Sequence, residues 1–291
     1  MINIEKLQVK YGNFVALDID EPIVIDNGDR IGVIGSNGAG KTTFVKAILG
    51  LVGYSGKIST DLKFSDMAVH MQENNYVKTV PVKYIIEAVL NTNTQKNQKL
   101  KELIDFFEFS PCLNKKYQAL SGGQKQRLTI ILVLMQNATI TFLDEVTSGL
   151  DFETRQRLMS KIAEWYRNND NSLCIISHYY DELNALTDKL LILDKGHVVA
   201  FGKTSELFER YCGKVVIVVD NDEKNRSLTK ALPQIVAPEH LLAFPCNSTD
   251  DEIRIVTELS HNNVNYKRST NDIEILFANA VGQMRDGGAG K

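Results

Sequence analysis

Apolar residues recur along this chain with two periods, and the changes of period mark its elements. Near the N-terminus Ile2-Asn3-Ile4 and Leu7-Gln8-Val9 alternate, and Ile23-Val24-Ile25 leads into Asn27-Gly28-Asp29, a turn signal. Residues 1–30 are therefore expected to form short strands joined by turns. Between 82 and 136 the spacing becomes helical. Val82, Ile85, Ile86, Val89 and Leu90 share one face, as do Leu100, Leu103, Ile104 and Phe107, with the polar run Asn91 to Lys99 as a loop between them. From 138 strands and helices alternate. Ile140–Leu143 and Leu173–Ile176 read as strands, 154–167 and Asp181–Leu186 as helices, and Leu190 to Ala200 as a hairpin turning at Asp194-Lys195-Gly196. Such alternation predicts an α/β fold, a mostly parallel sheet flanked by helices. A boundary is expected near 210–214, dividing the chain into 1–212 and 213–291. In the second part Lys214–Val219, Ile253–Val256 and Ile273–Phe277 read as strands of a small α+β appendage, and Asp286–Lys291 as a disordered tail.

Composition narrows the function classes. The chain has 291 residues, 43% of them hydrophobic and 24% charged, which suits one large domain or two small ones. With 33 basic against 36 acidic side chains the net charge is −3, which disfavours nucleic-acid binding through bulk charge. The four cysteines, Cys112, Cys174, Cys212 and Cys246, are far apart and form no CxxC pair, so free thiols in a reducing cytosol are expected rather than a metal cluster. The first residues have no signal-peptide layout. The longest apolar run, Ile130–Met135, falls far short of the roughly 20 residues that cross a bilayer.

Three motifs carry chemistry. Gly35-Ser36-Asn37-Gly38-Ala39-Gly40-Lys41-Thr42, followed by Thr43, lies between the apolar run Arg30–Ile34 and a helical run ending at Leu49. A strand, a glycine loop and a helix start are what a phosphate-binding loop requires, with backbone N–H groups and the helix terminus aimed at phosphate oxygens. Lys41 can then reach the β- and γ-phosphates and the Thr42 hydroxyl can ligate Mg²⁺. Second, the strand Ile140–Leu143 delivers Asp144 and Glu145 to its end. Asp144 suits a metal and Glu145 a water-activating base. By itself this pair could be a solvated strand end. Third, Leu120-Ser121-Gly122-Gly123-Gln124 opens a helix and offers a second anion-binding terminus.

Together these motifs resemble the ATP-binding-cassette (ABC) ATPases over about residues 1–210. The resemblance implies a P-loop NTPase core with an N-terminal antiparallel β-subdomain, a helical subdomain at about 73–136, and the C-terminal appendage beyond. It implies that Tyr11 stacks on adenine, that Gly35–Thr42 is Walker A, and that Gln72 is the Q-loop glutamine contacting Mg²⁺ and the attacking water. Leu120–Gln124 would be the signature motif, Ile140–Asp144 Walker B, Glu145 the catalytic glutamate, Ser148–Asp151 the D-loop and His178 the switch histidine. One position departs from the pattern: Val146 stands where the family has proline after the catalytic glutamate. Valine alters stiffness but removes no catalytic group, so activity is expected to survive.

In that family Ser121, Gly122 and Gly123 of one subunit complete the ATP site of another. One copy of each motif here implies a head-to-tail pair of chains with two ATP molecules between them. The resemblance further implies the ATP-hydrolysing subunit of a transporter, peripheral on the cytoplasmic face of the membrane through a separate polytopic permease. Ser269–Phe277 is similar to the ending of exporter-type cassettes, so export of a peptide, antibiotic or drug is the expected direction. The competing class is a soluble ABC protein acting on ribosomes or DNA. Ribosome-associated members carry two cassettes in one chain, and DNA-maintenance members insert a long coiled coil that the Lys41-to-Ser121 interval cannot hold. A P-loop kinase or GTPase would need neither the signature nor His178.

Overall fold

The computed structural model describes residues 1–71 and 76–288, and they form two compact units. The first comprises Met1–Val33 and Lys41–Thr187, and the second Ile34–Gly40 and Asp188–Lys291.

The first unit opens with an antiparallel group, β1 (Ile2–Tyr11), β2 (Phe14–Ile19) and β3 (Ile23–Ile25). β1 is one long strand where the alternation suggested two short ones. It pairs with β2 on one side and β3 on the other, and Ile2, Ile4, Leu7 and Val9 point into the core. β4 (Arg30–Gly35) leads through the glycine loop to α1 (Lys41–Ile48), and β5 (Ser55–Thr60) returns to pair with β1. β6 (Met67–His70) precedes three helices, α2 (Val82–Leu90), α3 (Gln98–Phe106) and α4 (Gly122–Leu134). β7 (Ile140–Asp144), α5 (Phe152–Arg167), β8 (Ser172–Ile176) and α6 (Tyr180–Leu186) complete the unit.

β4, β8, β7 and β6 lie side by side in parallel. Every residue of β7 and β8 is buried, as expected for parallel strands covered on both faces. The mixed α/β architecture with a parallel core sheet agrees with the sequence. α5 is started by Asp151, whose side chain accepts from the Thr154 N–H at 2.9 Å, and it buries Leu158, Met159, Ile162 and Tyr166 at helical spacing. Its start therefore lies ahead of the predicted residue 154.

In the second unit β9 (Lys189–Asp194) and β10 (His197–Lys203) form the expected antiparallel hairpin, followed by α7 (Thr204–Cys212) and β11 (Val215–Asp220). Then come α8 (Glu223–Leu228), β12 (Leu241–Cys246), α9 (Thr249–His261), β13 (Lys267–Ser269) and α10 (Ile273–Gly288). β11 is the centre of an antiparallel three-stranded sheet, β12-β11-β13.

Two predicted strands are helices. Ile253–Val256 lies in α9, because Ser248 and Asp251 form a capping box and Asp250, Asp251 and Glu252 favour the positive end of the first turn. The core contact of α9 is made by Ile255 and Leu259, one turn apart, while Ile253 faces solvent. Ile273–Phe277 opens α10, where Asp272 accepts from the Ile275 N–H at 3.2 Å and Ile275, Leu276 and Ala280 are buried. The helix also includes residues 286–288 of the segment expected to be disordered, and 289–291 lie outside the described residues. No helix among the described residues is long and apolar enough to cross a membrane. Cys112, Cys174, Cys212 and Cys246 are all free and buried.

Candidate functional site

The phosphate loop follows a strand whose Ile31, Val33 and Ile34 are buried, so the core fixes where the loop begins. Gly38 (φ +78°) and Gly40 (φ +100°) adopt left-handed conformations that side chains resist. At Gly35 a Cβ would sit 2.3 Å from the Leu193 carbonyl oxygen, so only glycine fits. The Ala39 N–H closes the turn on the Ser36 carbonyl at 3.0 Å, and Ser36, Asn37 and Gly38 are exposed. Lys41 and Thr42 open α1, with Thr43 after them, which aims the helix's unpaired N–H groups out of its start.

Within the first unit, Thr42 Oγ1 donates to Asp144 Oδ2 at 2.8 Å, joining the start of α1 to the end of β7. Asp144 is buried, and its Oδ1 has no hydrogen-bond partner. Burial pushes the Asp144 carboxyl above its ordinary range, opposed by the Thr42 hydrogen bond. Burial also pulls the Lys41 ammonium below its ordinary value, while the negative charges of Glu145 and Asp144 act in the other direction. A hydroxyl beside a carboxylate with a spare buried oxygen is a hard-oxygen donor pair that fits Mg²⁺. No cluster of three His, Cys, Asp or Glu among the described residues could hold a metal through protein ligands alone.

Glu145 has φ +49°, a left-handed conformation costing a non-glycine residue of order 1–2 kcal/mol. Its N–H is held by the Ile176 carbonyl of β8 at 3.0 Å, and its own carbonyl accepts from Ser148 at 3.0 Å. Val146, at the position of the missing proline, is buried. Just past β8, His178 places Nε2 2.9 Å from Glu145 Oε1. Two neighbouring parallel strands thus bring together the first residue past β7 and the second past β8.

Five residues that the sequence did not single out link the segments that carry this pair. Glu182 is 2% exposed, and it accepts from Thr147 Oγ1 at 2.7 Å and from Ser177 Oγ at 2.6 Å. Ser177 Oγ in turn accepts from the Tyr179 N–H at 3.0 Å. Arg155 lies 3.9 Å from Glu182 and 3.8 Å above the Tyr179 ring. Burial pushes the Glu182 carboxyl up, with the two hydroxyls and then Arg155 opposing. A carboxylate one helical turn after His178, with Ser177 beside His178 and Thr147 two positions after Glu145, was the available signal.

Ser121 and Gln124 form a capping box at the start of α4, with Gln124 N–H to Ser121 Oγ at 3.3 Å and Ser121 N–H to Gln124 Oε1 at 3.1 Å. Ser121 and Gly122 are exposed, whereas Gly123 is buried so closely against α5 that a Cβ would lie 2.4 Å from the Thr154 methyl. Tyr11, at the end of β1, is 49% exposed. Among the described residues neither Tyr11 nor Ser121 makes a hydrogen bond or ion pair with Thr42, Asp144, Glu145 or His178. Gln72 lies outside the described residues.

The family described as ABC transporter matches residues 23–148. A tungstate uptake ATP-binding protein, TupC of Peptoclostridium acidaminophilum, is 30% identical over 207 residues, covering 68% of this chain and 96% of that protein. The methionine import ATP-binding protein MetN of Corynebacterium efficiens is 30% identical over 212 residues, covering 67% of this chain and 59% of that protein. The chain therefore spans about three fifths of the length of MetN. Among solved structures, the ATP-binding cassette MJ0796, a dimer in a post-hydrolysis state bound to ADP and Pi, shares the fold. Its TM-score is 0.61 at 21% identity, covering 70% of this chain and 98% of that one.

Proposed function

Because the chain belongs to the ATP-binding subunits of ABC transporters, we propose that its phosphate loop binds ATP and that Glu145 and His178 act in its hydrolysis. One observation carries this reading: the Glu145–His178 contact stands directly beside the Thr42–Asp144 pair. Loop amides of Gly35 to Gly40 and the start of α1 hold the phosphates, Lys41 adds positive charge, and Tyr11 stacks on the adenine. Thr42, Asp144 and Gln72 would hold Mg²⁺, which when bound would offset the charge of the phosphates. Glu145 accepts a proton from the attacking water, and His178 fixes the carboxylate that does so.

Ser121, Gly122, Gly123 and Gln124 contribute donors to the site of a second copy. Their support is the exposure of Ser121 and Gly122 at a helix start. The partner that receives the work is a polytopic permease, which would hold this chain at the inner face of the membrane. The division into a catalytic part, 1–212, and a C-terminal part, 213–291, stands as part of the same proposal. The names of TupC and MetN concern uptake and import, so they lend no support to export and favour inward transport. Action on ribosomes or DNA is not favoured by those relatives.

The test is nucleotide titration and phosphate release with the full chain and its Lys41→Ala variant. Saturable Mg-ATP binding that is weakened in the variant supports the reading, and equal binding by both proteins removes it.

A further inference from the structure

The C-terminal segment beyond the hairpin has no part in the reaction above, yet its last helix reaches the phosphate loop within the second unit. Asp194 ends β9 with its side chain only 4% exposed. Arg285, in the final turns of α10, grips that carboxylate through both Nη2 and Nε, at 2.9 Å and 3.2 Å from Oδ2, with Nη2 also 3.1 Å from Oδ1. On its other side Asp194 Oδ1 accepts from the Ser36 hydroxyl of the loop at 3.3 Å. The same strand end touches the loop twice more. The Leu193 carbonyl fills the space where a side chain on Gly35 would lie, and the Gly196 N–H donates to the Ala39 carbonyl at 3.2 Å.

α10 is firmly seated for this contact. Asn279, 2% exposed, donates to the Tyr211 carbonyl and accepts from the Val236 N–H. Gly282 packs so closely on Val236 that a Cβ would approach its methyl to 2.9 Å. Arg285 follows Asn279 by six positions, about 9 Å along a helix, so the buried amide fixes where the guanidinium arrives. A carboxylate withdrawn from water is costly without a counter-charge, and a forked guanidinium meets that need with two parallel hydrogen bonds.

We infer that α10 sets the shape of the phosphate loop through Arg285, Asp194 and Ser36, making Arg285 a positioning residue for nucleotide binding. Docking of the C-terminal helix and ATP affinity are then two ends of one linkage. Anything that lifts α10 frees Asp194 to turn toward water and weakens its hold on Ser36. The inference rests on the reading that this loop binds ATP.

Two readouts on the full chain test it. Hydrogen exchange of residues 34–43 without nucleotide reports the loop itself, and titration with Mg-ATP reports affinity. Arg285 is more than half exposed, so Arg285→Gln is expected to fold. It should speed exchange in the loop and weaken ATP binding about 3- to 10-fold, the range of a coupling near 1 kcal/mol. Arg285→Lys should recover part of the affinity. Asp194→Asn should weaken binding by itself but add little to Arg285→Gln, because both break one link. Unchanged loop exchange, unchanged ATP affinity, or full additivity of the two substitutions would overturn the inference. If the wild-type chain binds no ATP, the functional reading fails instead, and loop exchange still decides the structural link.

Discussion

His178 Nε2 lies 2.9 Å from Glu145 Oε1, with Glu145 the first residue past its parallel strand and His178 the second past the neighbouring one. Strand pairing holds the two segments together through the Glu145 N–H on the Ile176 carbonyl, and Glu145 itself has a left-handed backbone. A residue that holds a base contributes to the reaction step rather than to binding. His178→Ala is therefore expected to lower the maximal rate of phosphate release about 10²-fold or more. ATP affinity, measured by titration, should change little.

Asp144 is expected to matter through the metal. Its unpaired Oδ1 is buried and its Oδ2 is taken by Thr42. Asp144→Asn should raise the Mg²⁺ concentration needed for half-maximal activity by at least about 10-fold. The metal needs the ionised carboxylate, and burial holds the Asp144 carboxyl above its ordinary range. Mg²⁺ affinity should accordingly decline on acidification at a higher pH than an exposed aspartate would give. Magnesium titrations at several pH values check the sign.

Glu182 joins the segments that carry Glu145 and His178, through Thr147 and Ser177. Glu182→Ala leaves the buried Thr147 and Ser177 hydroxyls without their acceptor, removes a carboxylate beside Arg155, and should destabilise the fold by about 1–3 kcal/mol in urea unfolding. The pH dependence has a definite sign. Burial raises the Glu182 value in the folded chain, so the folded state binds the proton more tightly than the unfolded state. Its stability contribution is then fullest below the ordinary carboxylate range and declines as pH rises through the elevated value. Glu182→Gln cannot ionise, so as pH rises from the ordinary carboxylate range it should lose less stability than wild type. An equal or greater loss would place the raised value elsewhere.

The proposed sharing of the ATP site between two copies is open to a complementation test. Ser121→Arg blocks the donor face that is exposed at α4, and Lys41→Ala disables the phosphate loop. Each variant alone should hydrolyse little ATP. A mixture forms pairs in which the intact loop of one chain meets the intact Ser121 of the other, and should recover part of the lost rate. Recovery absent at concentrations where pairs form would assign Ser121 to its own chain's site.

What the sequence made legible was local. The phosphate loop, the Ser121 cap and the Asp144–Glu145 strand end are each written in a few consecutive residues whose neighbours dictate strand, loop or helix. The C-terminal helices were obscured because Ile253-Arg254-Ile255-Val256 alternates and is β-branched, as a strand would be. Capping at Ser248 and the one-turn spacing of Ile255 and Leu259 prevailed over that propensity. β12 was hidden for the opposite reason: Pro245 within Leu241–Cys246 argues against a strand, yet an edge position accommodates it. Glu182 and the Arg285–Asp194–Ser36 link depend on segments distant in sequence, and no local pattern announces such meetings.

The most direct measurement compares Glu145→Gln with wild type for Mg-ATP affinity and phosphate release in the same preparation. Glutamine keeps the shape of the side chain and removes its capacity to accept a proton. ATP affinity should remain near that of wild type while turnover falls about 10²- to 10⁴-fold. Turnover at the wild-type rate would contradict the assignment of Glu145 as the base and, with it, the proposed mechanism.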